Sequence, residues 1–294
     1  MDRISFYGRE LPVYKSSLHL HSTVSDGDFS PDEVIRLYAD EGYDVIAFTD
    51  HFKTNPVSAY DGRGMTLLSG AELHPVGPRN VQWHLLALGI PEDFPCAFAT
   101  GQEAVTAVKA AGGIVFCAHP GGVFTSSEIL ELKGLDGIEV ANTNERFTGF
   151  ESSEFCWKEL IAKGFYCPAL AVDDMHTRCD LYRNRTMIIA PDKSPASLLA
   201  ALKAGHCYAT QGPRFKRLAW HDGVFEAEFT EVVEALLFGF PGVSIIGTPG
   251  YPTPETSPRL TSLKFAPGKS FRGSLRCRIR DRFDRCAWTM PITF

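Results

Sequence analysis

His19-Leu20-His21, with Asp26 shortly after, is the first group of residues in the chain that can do chemistry together. Leu18 and Leu20 alternate with the two histidines. On a β-strand both imidazoles therefore project from one face, about 7 Å apart. Two imidazoles so placed can grip a single divalent ion from one side. Asp26 stands on an Asp-Gly turn that can fold back toward the same place. Alone, the pair says little. With 9 histidines in 294 residues, about 0.3 such pairs arise by chance, so its weight rests on the other histidines and acids of the chain.

Those residues form a series beside short apolar runs. Val45–Thr49 runs into Asp50-His51, and Thr66–Ser69 into Gly70-Ala71-Glu72. His84 enters Leu85–Leu88, and Ile114–Ala118 runs into His119-Pro120. Pro168–Val172 runs into Asp173-Asp174-Met175-His176. Gly137–Val140 and Thr186–Ile189 are further runs of this kind. Such runs suit strands covered on both faces.

Helices are expected between them. Ser30-Pro31-Asp32-Glu33 carries an N-cap serine, a first-turn proline and a glutamate three residues after the cap. Residues 100–111, 151–163 and 194–204 read as helices too. Strand–helix alternation predicts a largely parallel α/β sheet closed as a barrel. In such a barrel the C-terminal strand ends meet at one face, which would collect the histidines and carboxylates.

The pattern changes near residue 206. Helical periodicity thins, and Gly and Pro cluster at 239–242 and 247–252. Ser274–Arg280 and Cys286–Thr289, joined by Asp281–Asp284, read as a hairpin of a small antiparallel β unit. Trp288 is expected in the core of that unit. The division is therefore 1–205 for the barrel and 206–294 for the appendage.

Composition limits the function classes. Hydrophobic content of 44% and charged content of 22% describe an ordinary globular chain. A net charge of −6 gives no general attraction to a nucleic-acid polymer or an anionic membrane. Any anionic substrate must be drawn by a local positive centre. Met1–Ser5 lacks a secretory apolar core and no apolar run reaches membrane-spanning length, so a cytoplasmic location is expected. The 8 cysteines are scattered without a C-x-x-C pair, as expected of reduced core thiols rather than zinc ligands.

In order, the H-x-H with its S-D-G, the T-D-H at 49–51, the G-x-E at 70–72, His84, the H-P at 119–120 and the D-x-H at 174–176 resemble the polymerase-and-histidinol-phosphatase (PHP) superfamily of metal-dependent phosphoesterases. The resemblance covers roughly residues 16–210. It implies a distorted (β/α)7 barrel with two or three metals at the C-terminal strand ends. Carried over by position, His19, His21 and Asp174 would hold one metal, with Glu72 as a bridging carboxylate. Glu72, His84 and His119 would hold a second, and Asp26, His51 and His176 a third. Mixed imidazole and carboxylate sets suit zinc, manganese or iron. Gly205–Pro213 and Ala287–Ile292 are similar to the branch that includes carbaryl hydrolase, whose members carry a small β appendage.

The activity implied is hydrolysis of a small phosphate ester, such as a nucleotide or sugar phosphate, by attack of a metal-bound hydroxide, with Glu72, Asp174 and His176 as catalytic residues. Arg178, Arg183 and Arg185 are candidates to contact the phosphate; each taken alone reads more readily as a surface or ion-paired arginine. Arg79, Arg146 and Lys53 are weaker candidates. Asp50 and Asp173 suit either an imidazole-orienting role or a turn role. His74 would share the face of Glu72 on a strand, but Pro75 after it favours a loop. Glu139 is read as a rim or structural acid. Two other functions stay open: a carboxylic or carbamate ester hydrolase using the same metals, and a non-catalytic metal-binding barrel. Oligomeric state is not legible.

Overall fold

The computed structural model describes residues 2–240, 259–266 and 273–293. The Gly- and Pro-rich stretch after Phe240 lies outside them.

The chain opens with a hairpin, β1 (Asp2–Phe6) and β2 (Arg9–Ser17). Then come α1 (Pro31–Asp40), β3 (Val45–Phe48), β4 (Thr66–Leu73), β5 (Leu85–Leu88), α2 (Gly101–Ala110) and β6 (Ile114–Cys117). A short α3 (Ser126–Ile129) precedes β7 (Gly137–Asn142), α4 (Glu154–Ala162), β8 (Ala169–Val172), β9 (Arg185–Ile189) and α5 (Pro195–Lys203). The C-terminal part holds β10 (Cys207–Thr210), β11 (Phe215–His221), β12 (Val224–Val232), β13 (Glu234–Phe240), β14 (Leu260–Phe265), β15 (Ser274–Arg280), β16 (Cys286–Thr289) and β17 (Ile292–Thr293).

The helices begin where their caps dictate. Ser30 accepts from the Glu33 amide while the Glu33 carboxylate accepts from the Ser30 amide, and Thr100 with Glu103 repeats the arrangement at α2. Each reciprocal cap satisfies donors left bare in the first helical turn. Behind its cap α1 buries Val34, Ile35 and Tyr38, and α4, which starts without a side-chain cap, buries Cys156, Trp157, Leu160 and Ile161. Burial of each large apolar side chain contributes about 1.5–3 kcal/mol.

The strands form a curled, mixed sheet. Parallel pairs join β2 to β3, β3 to β4, β6 to β7 and β7 to β8. The expectation of a largely parallel barrel needs correction at two strands. β5 runs antiparallel to both β4 and β6, and β9 runs antiparallel to β2. At the seam between β8 and β9, Thr186 Oγ1 accepts from the Ala171 amide and donates to the Ala171 carbonyl, both at 3.1 Å. β4 is longer than the run read from the sequence. It continues through Gly70 to Leu73, pairing with β3 up to Ser69 and with β5 from Gly70 onward.

β15 and β16 pair antiparallel as expected, with Arg278 opposite Trp288. The C-terminal sheet also engages the N-terminus. β1 lies parallel to β11, and Ile4, Phe6 and Val13 share an apolar cluster with Phe225, Phe229, Leu237 and Ile279. Trp288 is buried, but against the barrel cluster rather than the appendage cluster, together with Met290. Ala287, one residue earlier, faces the appendage cluster. β16 is thus a shared wall, because alternate strand residues face opposite sides. Cys117, Cys156, Cys167, Cys207 and Cys277 are buried and unpaired, and burial raises each thiol above its ordinary range. Among the described residues no helix is long and apolar enough to cross a membrane.

Candidate metal centre

β2 ends at Ser17, two residues short of the first histidine. The chain beyond it stays extended because it pairs with the segment after β8. The amide of Asp174 donates to the His19 carbonyl (3.1 Å), and that of His21 to the Met175 carbonyl (2.9 Å). This backbone contact brings the H-x-H and D-x-H motifs together. Leu18, Leu20 and Met175 are fully buried behind them, so the polar side chains turn inward to the opposite face. Asp26 reaches the site through a tight turn at Gly27. A Cβ there would stand 2.6 Å from the His21 backbone, so only glycine lets the turn close.

Glu72, at the end of β4, is the centre of the cluster. Its Oε2 lies 3.3 Å from His19 Nε2, 3.6 Å from His21 Nε2 and 3.0 Å from His51 Nδ1. Its Oε1 lies 2.9 Å from His84 Nδ1 and 3.4 Å from His119 Nε2. Asp174 Oδ1 stands 3.2 Å from His19 Nε2 and 3.0 Å from His21 Nε2. Asp26 bridges His51 and His176 at 3.4 and 3.5 Å. Because β5 is antiparallel, His84 at its N-terminal end arrives at the same rim as the C-terminal ends of its neighbours. Asp26 and His84 form the open edge, their side chains 54% and 35% exposed, while His19, His21, Glu72 and Asp174 are buried.

Four groups place one ligand atom per residue within 4.8 Å of one another. They are His19, His21, Glu72 and Asp174; Glu72, His84 and His119; His21, Asp26, His51 and His176; and His51, Glu72 and His74. The nine candidate ligands are therefore brought together. His74 joins them from the loop after β4, its Nε2 2.7 Å from His51 Nδ1. Its spacing of two from Glu72 was the available signal. Pro75 does make it a loop residue, and the loop turns toward the cluster.

The donor set fits divalent ions. His19 Nε2 and His21 Nδ1 are buried without a hydrogen-bond partner. An orphaned imidazole nitrogen facing carboxylates is costly unless something binds it. The field favours a cation. Burial opposes charge on His19, yet Asp174, Glu139 and Glu72 outweigh it and raise its pKa well above the ordinary value. His119 is likewise pushed up to about 9 against its burial, mainly by Glu72 and Asp174. Burial opposes ionisation of Glu72, but His19, His119 and His51 hold its carboxyl well below the usual range. Carboxylates that attract protons onto imidazoles attract a divalent cation in their place, so metal uptake releases protons.

Glu139, fully buried in β7, accepts from three donors: His19 Nδ1 (2.6 Å), the His119 amide (2.8 Å) and Asn142 Nδ2 (2.9 Å). It fixes the His19 tautomer with Nε2 toward the cluster. A charged residue inside an otherwise buried strand was its sequence signal. Asp50 does not touch an imidazole. It accepts from the amides and hydroxyls of Ser22 and Ser25 and from Asn55 Nδ2, holding the loop that carries Asp26. Asp173 accepts from Thr143 Oγ1 and the amides of Tyr182, Arg183 and Asn184, a turn role.

No side-chain hydrogen bond or ion pair among the described residues links Arg178, Arg183 or Arg185 to the cluster. Arg178 is exposed over the Phe29 ring. Arg183 lines a cleft of about 390 Å³ with Asn142, Arg146 and Arg285. Arg185 is on the face of β9 that carries Met187, which is buried in the cluster of the C-terminal sheet, and lines a different cleft with Lys15 and Asp44. Arg146 is committed to Asp180 at 2.8 Å, and Arg79 to Glu128 at 2.9 Å. Lys53 Nζ lies 3.4 Å from the Val24 carbonyl, beside the Asp26 loop.

No family model matches the chain. An alignment 87 positions long, which covers 28% of the chain, is 32% identical to a phosphoribosyl 1,2-cyclic phosphate 1,2-diphosphodiesterase of Eggerthella lenta. The match spans only 33% of that relative's length. An amidohydrolase from Chromobacterium violaceum with bound sulfate and no metal aligns over 55% of this chain and 88% of its own, at 20% identity and a TM-score of 0.46. A two-domain protein from Bacteroides vulgatus containing a predicted PHP-like metal-dependent phosphoesterase aligns over 97% of this chain and 95% of its own, at 14% identity and a TM-score of 0.56. That alignment includes the C-terminal sheet as well as the barrel. This chain therefore shares its fold with that Bacteroides vulgatus protein.

Proposed function

We propose that the chain is a metal-dependent phosphoesterase acting on a small phosphate ester. The observation that carries this reading is Glu72, whose two carboxylate oxygens are divided between separate sets of imidazoles. His19, His21, Asp174 and Glu72 would hold one ion, and Glu72, His84 and His119 a second. Asp26, His51 and His176 would hold a third, with His74 beside them. Zinc, manganese or iron suits these donors.

When bound, such ions supply Lewis acidity, lower the pKa of a coordinated water toward neutrality and neutralise charge on phosphoryl oxygens. The chain's own residues set up that chemistry. Glu139 holds His19 in one tautomer. His176 Nδ1 lies 2.9 Å from the Asp174 carbonyl, which accepts a hydrogen bond from it and leaves Nε2 facing Asp26. Asn142 Nδ2 donates to Asp174 Oδ2 at 3.2 Å and fixes that carboxylate. The buried floor of His19, His21, Glu72 and Asp174 excludes bulk water, and the open edge at Asp26 and His84 admits the ester.

The test is Glu72→Gln. It should reduce bound metal, measured by elemental analysis, and reduce phosphate release by orders of magnitude. Full metal content with full activity would remove the proposed centre. The Eggerthella lenta relative acts as a diesterase, so monoesters and cyclic or linear diesters belong in the same screen. Turnover of aryl carboxylic or carbamate esters without turnover of any phosphate ester would replace the phosphoesterase reading. A fully metallated but inert protein would favour a non-catalytic barrel.

A further inference from the structure

Phe52 directly follows the candidate ligand His51, and its side chain is not buried. The residue is 53% exposed, although it stands beside the buried His19, His21, Glu72 and Asp174. Its ring centroid lies 4.7 Å from the His74 ring at 36° and 6.3 Å from the His51 ring at 47°. One side of the ring is therefore against imidazole, and more than half of the residue's surface faces solvent at the lip of the site.

The backbone is also unusual. Phe52 has φ 59°, in the left-handed region that a bulky side chain avoids. Its amide donates to the Glu72 carbonyl at 3.2 Å, which locks the residue to the centre. His119 (φ 26°) and Asp174 (φ 50°), both candidate ligands, carry positive φ as well. Strain of this kind persists only where surrounding structure enforces it. In Phe52 the enforced conformation rests the ring against the His74 imidazole and leaves about half of the residue exposed to solvent.

We propose that Phe52 is a stacking platform for the organic part of the substrate, and that this part is a planar ring such as a nucleobase. The inference rests on the phosphoesterase reading for the phosphate group but concerns a separate contact. Aromatic side chains recognise planar rings through their faces, tolerate different bases, and give about a tenfold or larger gain in affinity per stacked base. Lys53, on the same lip, adds a cation on the approach to the Asp26 loop.

The experiment is calorimetric titration of the metal-loaded protein with the non-hydrolysable phosphonate analogues of adenosine 5′-monophosphate and of glycerol 3-phosphate. The wild type should bind the nucleotide about tenfold more tightly. Phe52→Ala should remove most of that margin, and Phe52→Trp should retain or widen it. Metal content and melting temperature of each variant establish that the centre and fold are intact. Equal affinity of the wild type for the two ligands would overturn the platform, as would an unchanged margin in Phe52→Ala. Phosphate release is measured separately. A preference for the nucleotide without any turnover sinks the phosphoesterase reading and leaves the platform standing, whereas turnover without preference does the reverse.

Discussion

Glu139 shows how much of the centre depends on a residue that need not touch metal. Its carboxylate is fully buried and accepts hydrogen bonds from His19, the His119 amide and Asn142. Each of these partners is a candidate ligand or, for Asn142, holds one. Glu139→Gln keeps the volume but replaces one acceptor oxygen with a donor, so the His19 tautomer is no longer fixed. We expect metal affinity to fall roughly 10- to 100-fold, as is usual for loss of a carboxylate behind a ligating histidine. Competition with a chromogenic chelator measures it, and far-UV circular dichroism checks the fold. An unchanged affinity would show that Glu139 only fills space. At this scale much was readable from the sequence. His19, His21, Asp26, His51, Glu72, His84, His119, Asp174 and His176 all converge because their types and order mark them. His74 and Glu139 were harder, since one sits before proline and the other looks like a rim acid. The placement of Arg185 depends on which face of β9 it occupies, and that is settled only by which side Met187 and Ile189 pack against.

The elements explain how those residues meet. Capped helices and apolar runs of four or five residues were legible, because caps and apolar clusters are local signals. Strand direction was not. Leu85-Leu86-Ala87-Leu88 reads much the same in both senses, and nothing in it states that β5 runs antiparallel. That reversal is what puts His84 on the metal side. Gly70 is the pivot, for β4 leaves β3 and begins to pair with β5 at this residue. A Cβ on Gly70 would lie 2.7 Å from the Ala87 carbonyl and 2.9 Å from the Phe48 carbonyl. Backbone atoms in two strands cannot both yield. Gly70→Ala should therefore destabilise the protein by about 1–3 kcal/mol. It should also lower metal content, because Glu72 lies two residues beyond the displaced backbone. Thermal melting and elemental analysis measure the two effects. A variant as stable and as metal-rich as wild type would show that the switch tolerates a side chain.

At the scale of the molecule, the barrel and the C-terminal sheet are joined by charge as well as by the shared wall of β16. Glu154 at the start of α4 lies 3.0 Å from Arg276 Nη1 and 3.0 Å from Arg278 Nη1, both on β15. Arg276 is itself buried, with its guanidinium 4.7 Å from the Trp157 ring and 4.4 Å from the Phe238 ring. A buried guanidinium that loses its carboxylate is left uncompensated, which costs about 3–5 kcal/mol. Glu154→Gln should approach that cost at neutral pH.

The same contact sets a pH dependence. Burial pushes the Glu154 carboxyl up, but the guanidinium groups of Arg276 and Arg278 outweigh it and hold the pKa below the ordinary glutamate value. A carboxyl depressed in the folded state binds fewer protons there than in the unfolded chain, so it stabilises the fold wherever it is ionised. That contribution is complete above the unfolded pKa of about 4.3. It is lost as pH falls through the depressed folded value. The stability gap between wild type and Glu154→Gln should therefore be constant from neutral pH down to roughly pH 5.5 and should narrow steadily below about pH 4.3. Urea unfolding of both proteins across that range measures the gap. Other carboxylates and any acid-induced loss of metal affect both chains alike and cancel in the difference. A gap that stays constant into the acid range would mean that packing of the helix against β15, and not the charge on Glu154, joins the two halves.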